Sequence, residues 1–193
     1  MLALFPAGES TMDAGLTELT GAFDRYAASC PAERGTLLLF RDFLGSSSDV
    51  FERSHAIGHF TGSAWLVSAD GSRVLLTHHR KLGRWLQLGG HADGDANLAR
   101  VALREAEEES GLSELSVERE IFDLDRHCIP ARGADPEHWH YDVRFVVRAN
   151  GSEEFVVSDE SHALAWRDIS EIAQDETADP SVRRMAEKWL ERR

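Results

Sequence analysis

The chain has 193 residues, 42% of them hydrophobic and 28% charged, with 34 acidic against 21 basic side chains. That length suits one compact domain with a modest extension, and a formal charge of -13 sets the surface against nucleic acid and anionic lipid unless bound cations reverse the field. Cys30 and Cys128 stand alone, without a Cys-x-x-Cys spacing, so the cysteines point to neither a disulfide framework nor a structural zinc site and fit a reducing cytoplasm.

Met1 to Pro6 is apolar but lacks a basic leader, and no run approaches the length of a membrane span, so neither a targeting segment nor a membrane partner is expected. Leu16, Leu19, Phe23 and Tyr26 recur at helical spacing, and Leu37, Phe40 and Leu44 repeat the pattern after Pro31. Two amphipathic helices follow, closed by Gly45-Ser46-Ser47-Ser48, which places a boundary near residue 50 between a helical extension (1–50) and the main domain (51–193).

From His59 to Arg148 the texture changes to short β-rich runs: Ala64 to Val67, Val74 to Leu76, Val117 to Leu124 and Tyr141 to Val147. One helix interrupts them, from about Asn97 to Ser110, with Ala99, Ala102, Leu103 and Ala106 as its core stripe and Gly111 as a left-handed cap. Asp179 and Pro180 open a last helix whose buried stripe is Val182, Met185, Ala186, Trp189 and Leu190. Strands on both sides of one crossing helix, with a further helix at the end, predict an α/β protein with a mixed sheet between helical layers.

Glu105, Glu108 and Glu109 are related as i, i+3 and i+4, so three carboxylates crowd one helix face away from the apolar stripe. Each like-charge pair costs roughly 0.2 to 0.5 kcal/mol, and negative charge in a last helical turn also opposes the helix dipole. A divalent cation removes both penalties, and an all-oxygen ligand set selects hard ions such as Mg2+ or Mn2+. The bland reading is a solvated acidic face.

Context separates the two, because Gly90 and the run Arg104-Glu105-Ala106-Glu107-Glu108-Glu109-Ser110-Gly111-Leu112 resemble the Nudix box. That resemblance implies a Nudix-type α/β/α sandwich with a mixed β-sheet, preceded here by the N-terminal helical extension. It implies a Mg2+-dependent hydrolase, with Mn2+ as substitute, that cleaves a phosphoanhydride bond of a nucleoside diphosphate linked to another moiety. Glu105, Glu108 and Glu109 then resemble the metal ligands, the Gly90 carbonyl adds an oxygen, and Arg104 orients the carboxylates. A further acid often comes from the loop before the terminal strand; Glu160 fills that place, with Asp159 second. The resemblance makes Glu109 or Glu160 the general base and leaves the choice open, because a base is defined by its distance to the water. One box position departs: Ala96 stands where the pattern has its first Glu, with Asp93 and Asp95 close by.

Around the box, His78-His79-Arg80-Lys81 and Arg84-Trp85 form a basic, aromatic segment, so Arg80 and Arg84 are candidates for receiving phosphate, against the reading of a charged hairpin turn. His91 sets an imidazole directly after the box glycine. Asp123, Asp125 and His127 share one strand face and His138, His140, Asp142 and Arg144 another; a hairpin through Pro130 to Pro136 brings them together as a His- and Asp-rich cluster, either lining the ligand cleft or facing solvent.

Two other functions compete with the hydrolase. A nucleotide-sensing module is motivated by Ala96 and the extra helices, and an isopentenyl-diphosphate-type isomerase by fold kinship alone. The N-terminal helices have three roles open to them: covering the sheet, pairing with a second subunit as a homodimer, or closing over ligand.

Overall fold

The computed structural model describes residues 11–79, 83–133, 136–156 and 161–192. Helix α1 (Thr11–Ser29) and helix α2 (Arg34–Leu44) are joined by a short 3-10 turn at Pro31–Glu33. Seven strands follow: β1 (Gly58–Val67), β2 (Arg73–His79), β3 (Arg84–Leu86), β4 (Leu88–His91), β5 (Leu115–Ile129), β6 (His138–Ala149) and β7 (Ser161–Asp168). Helix α3 (Leu98–Ser110) lies between β4 and β5, and α4 (Ile169–Gln174) and α5 (Pro180–Glu191) close the chain.

The strands form one mixed sheet in the order β3-β2-β1-β6-β5, with β4 also on β1 and β7 on β2. β1 is central and buried along its whole length, running parallel to β6 from Gly58 opposite Trp139 to Val67 opposite Arg148. Its two faces have different chemistry. Phe60, Ala64 and Leu66 point to the layer of α1, α2 and α3, where Phe40 and Phe43 pack on Phe60 and Tyr141. Trp65 and Val67 point to the other layer, with α4 and α5 supplying Ile169, Ile172, Val182, Met185, Ala186 and Trp189.

The expected α/β/α sandwich is therefore present, and the N-terminal helices cover the sheet, contributing Leu19, Phe23, Tyr26, Leu37 and Phe40 to the same core as α3. Some details differ from the sequence reading. Leu16 is exposed, and Phe43 takes the buried place expected of Leu44, which is only partly covered. On α3 the fully buried apolar residues are Leu98, Val101, Ala102 and Ala106, with Ala99 and Leu103 at the margin, because the helix meets both the sheet and the N-terminal layer.

Local chemistry sets the ends of α3. The Asn97 side chain accepts from the Arg100 amide at 3.1 Å, and Gly111 adopts φ 67, where a side chain would be strained. Gly62 on β1 lets the helix come close: a Cβ there would lie 2.8 Å from the Leu98 carbonyl oxygen and 2.9 Å from a Val101 methyl. On α5, Asp179 accepts from Ser181 and Pro180 occupies the first turn.

Candidate active site

β4 delivers the glycine pair to α3. Gly90 pairs with Gly62 and faces the helix, and a Cβ added to it would fall inside contact distance of the Glu105 carboxylate. The Gly89 amide donates to Glu109 Oε1 at 2.9 Å. Two of the three expected carboxylates are thus turned onto the Gly89–Gly90 backbone one helical turn apart. Glu108, on the exposed side of the same face, is near enough for its charge to act on Glu105.

The Glu105 carboxyl is pushed above its ordinary range, first by burial and further by the charges of Glu108 and Asp93, with Arg104 opposing. Arg104 donates to Glu105 Oε1 at 2.8 Å and to the His91 carbonyl at 3.0 Å, fixing the carboxylate and the loop together, in keeping with its expected orienting role. Carboxylates crowded on one helix face, Glu105 among them partly desolvated, are an oxygen donor set that a hard cation fits, since it removes the repulsion. Glu160 and Asp159 lie outside the described residues, as does Arg80.

Arg84 sits elsewhere. It is exposed on β3 and meets Asp179, the residue that caps α5, at 3.4 Å, at a pocket of about 420 Å3 that also involves Trp85, Arg167 and Asp175 and includes none of the α3 glutamates among its lining residues.

Ala96 has a structural explanation that the sequence did not offer. It is 2% exposed and lies under α1: a Cβ built on Gly15 would come within 3.2 Å of the Ala96 Cβ and 3.1 Å of the Asn97 nitrogen. The N-terminal helix occupies the space a longer side chain would need, which removes one of the two motives for a sensing module.

The β5–β6 hairpin forms as expected, with Asp123 opposite Arg144, Asp125 opposite Asp142 and His127 opposite His140. Its polar face divides in two. At one end, fully buried Arg144 donates to Asp142 (2.7 Å), Asp123 (3.1 Å) and Asp125 (3.1 Å). Arg184 and Lys188 reach in from α5, so the buried Asp123 and Asp142 and the half-buried Asp125 meet three cations. Asp142 also accepts from Thr61, Ser63 and Gln87. These aspartates are internally satisfied.

At the other end the imidazoles gather. His59, His91 and His140 each bring a ring nitrogen within 4.8 Å of the other two. The ring centroids are 4.9 Å apart for His59 and His91, 4.7 Å for His59 and His140, and 5.3 Å for His91 and His140. His138 stands 5.1 Å from His59. Burial first, then the mutual charge of the imidazoles, lowers His59 to about 4 and His140 to about 2; burial and Arg53 lower His91. All three are neutral at pH 7.

His91 thus points away from the glutamates: alternate residues of a strand face opposite ways, so Gly90 looks at α3 while Gly89 and His91 look at the other side. His59 escaped the sequence reading. The alternation His59, Thr61, Ser63 before Trp65 was the available signal, but joining it to His140 needed the parallel β1–β6 register.

A mixed sheet with a glycine loop docked on an acidic helix defines the protein as a Nudix-type sandwich. The NUDIX domain pattern matches residues 59–189, and the chain belongs to that family of pyrophosphohydrolases. Solved structures with the same fold include the E. coli dihydroneopterin triphosphate pyrophosphohydrolase (17% identity, TM-score 0.55, 69% of this chain and 96% of that one). A C. elegans Ap4A hydrolase binary complex gives 14% identity and a TM-score of 0.54 over 68% and 95% of the two chains. The MutT protein from Methanosarcina mazei Go1 gives 18% and 0.52 over 69% and 93%. No curated protein sequence is similar enough to match.

Proposed function

We propose that the chain is a Mg2+-dependent hydrolase, with Mn2+ as substitute, that cleaves the phosphoanhydride bond of a nucleoside diphosphate linked to another moiety. The observation that carries this reading is the convergence of Glu105 and Glu109 on the Gly89–Gly90 backbone, with Glu108 beside them. Glu105, Glu108, Glu109 and Glu160, with the Gly90 carbonyl, would hold the cation. When bound, the cation would supply Lewis-acid polarisation of the diphosphate and of the attacking water and would offset charge on the leaving phosphate.

Arg104 aims Glu105 and opposes its protonation, by its ion pair and its second bond to the His91 carbonyl. Glu109 or Glu160 accepts the proton from the water. Glu109 already receives the Gly89 amide, which holds one of its oxygens still. Arg80 is assigned to the phosphates of the substrate. Residues 1–50 act as a helical extension that buttresses the box loop at Ala96, with 51–193 as the hydrolase domain. The two free cysteines fit a cytoplasmic protein, and among the described residues no helix is long and apolar enough to cross a membrane.

The bond class is shared with what the structural relatives are named for, Ap4A and dihydroneopterin triphosphate. The test is turnover of nucleotide sugars, dinucleotides, dNTPs and coenzymes with Mg2+. At least one should be hydrolysed, and Glu108→Gln should lower turnover by at least about 100-fold, since a lost ligand disables metal catalysis. Silence across the panel, or an unaffected variant, refutes the assignment.

A further inference from the structure

We propose that His59, His91 and His140 form a second cation site, on the sheet face opposite the glutamates, that takes a borderline transition metal, Zn2+ foremost. The three come from β1, β4 and β6, so the rigid centre of the sheet holds them. Their nitrogens all lie within 4.8 Å of one another, close enough for small side-chain rotations to bring them onto one ion with Zn–N bonds of about 2.0 to 2.1 Å.

The hydrogen-bond accounting points the same way. Both ring nitrogens of His59 and Nε2 of His140 are buried with no partner among the described residues, and His59 is only 2% exposed. Buried polar groups are nearly always satisfied, and leaving one unpaired costs about 1 to 3 kcal/mol. Three such atoms in one place imply a ligand. A metal answers that need at one nitrogen of each ring, because it accepts an imidazole lone pair.

Ligand type separates this site from the carboxylates. Imidazole nitrogen suits Zn2+, Cu2+ or Ni2+ and is a poor donor to Mg2+, whereas the α3 glutamates are hard oxygen donors. Three protein ligands leave a fourth position for water, an anion or His138, whose Nδ1 is held by the Pro136 carbonyl at 2.9 Å, leaving Nε2 as its remaining nitrogen. The two sites share the β4 loop: His91 follows Gly90, and its carbonyl receives Arg104, the partner of Glu105. Metal on His91 would stiffen the segment that presents Gly89 and Gly90 to the glutamates.

The test uses the full chain, stripped with chelator and titrated with Co2+ and then Zn2+ in saturating Mg2+, reading Co2+ d–d absorption and competition with a chromophoric chelator. One equivalent of Co2+ should bind with tetrahedral-type absorption and be displaced by Zn2+. His91→Asn, at a partly exposed position, should weaken binding by at least about 100-fold while far-UV circular dichroism stays native. Glu105→Gln should bind Zn2+ as the parent does. No binding in the micromolar range, unaltered affinity in a folded His91→Asn variant, or loss of the site in Glu105→Gln would each overturn the proposal. None of these readouts needs a substrate, so the result stands apart from that of the hydrolase test.

Discussion

Restoring the missing box residue by Ala96→Glu should destabilise the protein and loosen its N-terminal helix. Ala96 is 2% exposed, and α1 passes so closely that a single methyl on Gly15 would already meet Ala96 and Asn97 at 3.1 to 3.2 Å. A glutamate adds four heavy atoms at a buried position that α1 already approaches closely. Overpacking of this kind costs about 1 to 3 kcal/mol, and a buried polar group without a partner about as much again. The sum, about 2 to 4 kcal/mol after partial relief by movement of α1, is a large share of the roughly 5 to 15 kcal/mol that holds a domain folded. For a chain of this size it lowers Tm by about 4 to 16 °C. Urea denaturation followed by tryptophan fluorescence measures the cost, and limited proteolysis between α1 and α2 reports whether the helix has undocked. A midpoint equal to the parent's, with α1 still protected, would show that the helix does not fill this space.

Gly15→Ala tests the same contact from the other side: a mid-helix Gly→Ala exchange usually gains about 1 kcal/mol, and here the gain should vanish in the urea midpoint, because the new methyl meets the box loop. Arg144→Met should cost about 3 to 5 kcal/mol in the same assay, since it leaves Asp123, Asp125 and Asp142 short of their shared buried cation. Acid stability follows from Asp123 and Asp125. Burial alone would raise both, but Arg184, Arg144 and Lys188 around Asp123, and His127, Arg144 and Arg184 around Asp125, hold them below the usual carboxylate range. A depressed folded pKa stabilises the protein above the unfolded value of about 3.9 and is lost as pH falls below it. The urea midpoint should therefore begin to fall at about pH 4 and fall more steeply below it, and Asp125→Asn should flatten that slope.

Much of the active-site helix was legible because a helix of 3.6 residues per turn converts the spacing of Glu105, Glu108 and Glu109 directly into a face, and its cap residues are local. The β5–β6 hairpin was legible for the same reason, since a turn rich in proline and glycine fixes antiparallel partners near each other in sequence. The histidine cluster was only half visible. His138 and His140 lie on one strand, but His59 joins them through a parallel pairing across some eighty residues, which local periodicity does not encode. Ala96 was visible as a departure, yet its cause is a helix eighty residues upstream whose Gly15 carries no signal by itself. Two of the cations that neutralise Asp123 come from α5 and are similarly remote, so the aspartates looked free to line a cleft or face solvent when they are already paired.

Hydrolysis by this chain requires the α3 carboxylates to hold a hard cation. Crystals of the protein soaked in Mn2+ and measured at the manganese edge answer that directly. Anomalous density within about 2.0 to 2.6 Å of carboxylate oxygens of Glu105, Glu108 or Glu109, the oxygen–cation range for hard ions, is the expected result. Side chains splayed into solvent with no anomalous peak beside them would contradict it.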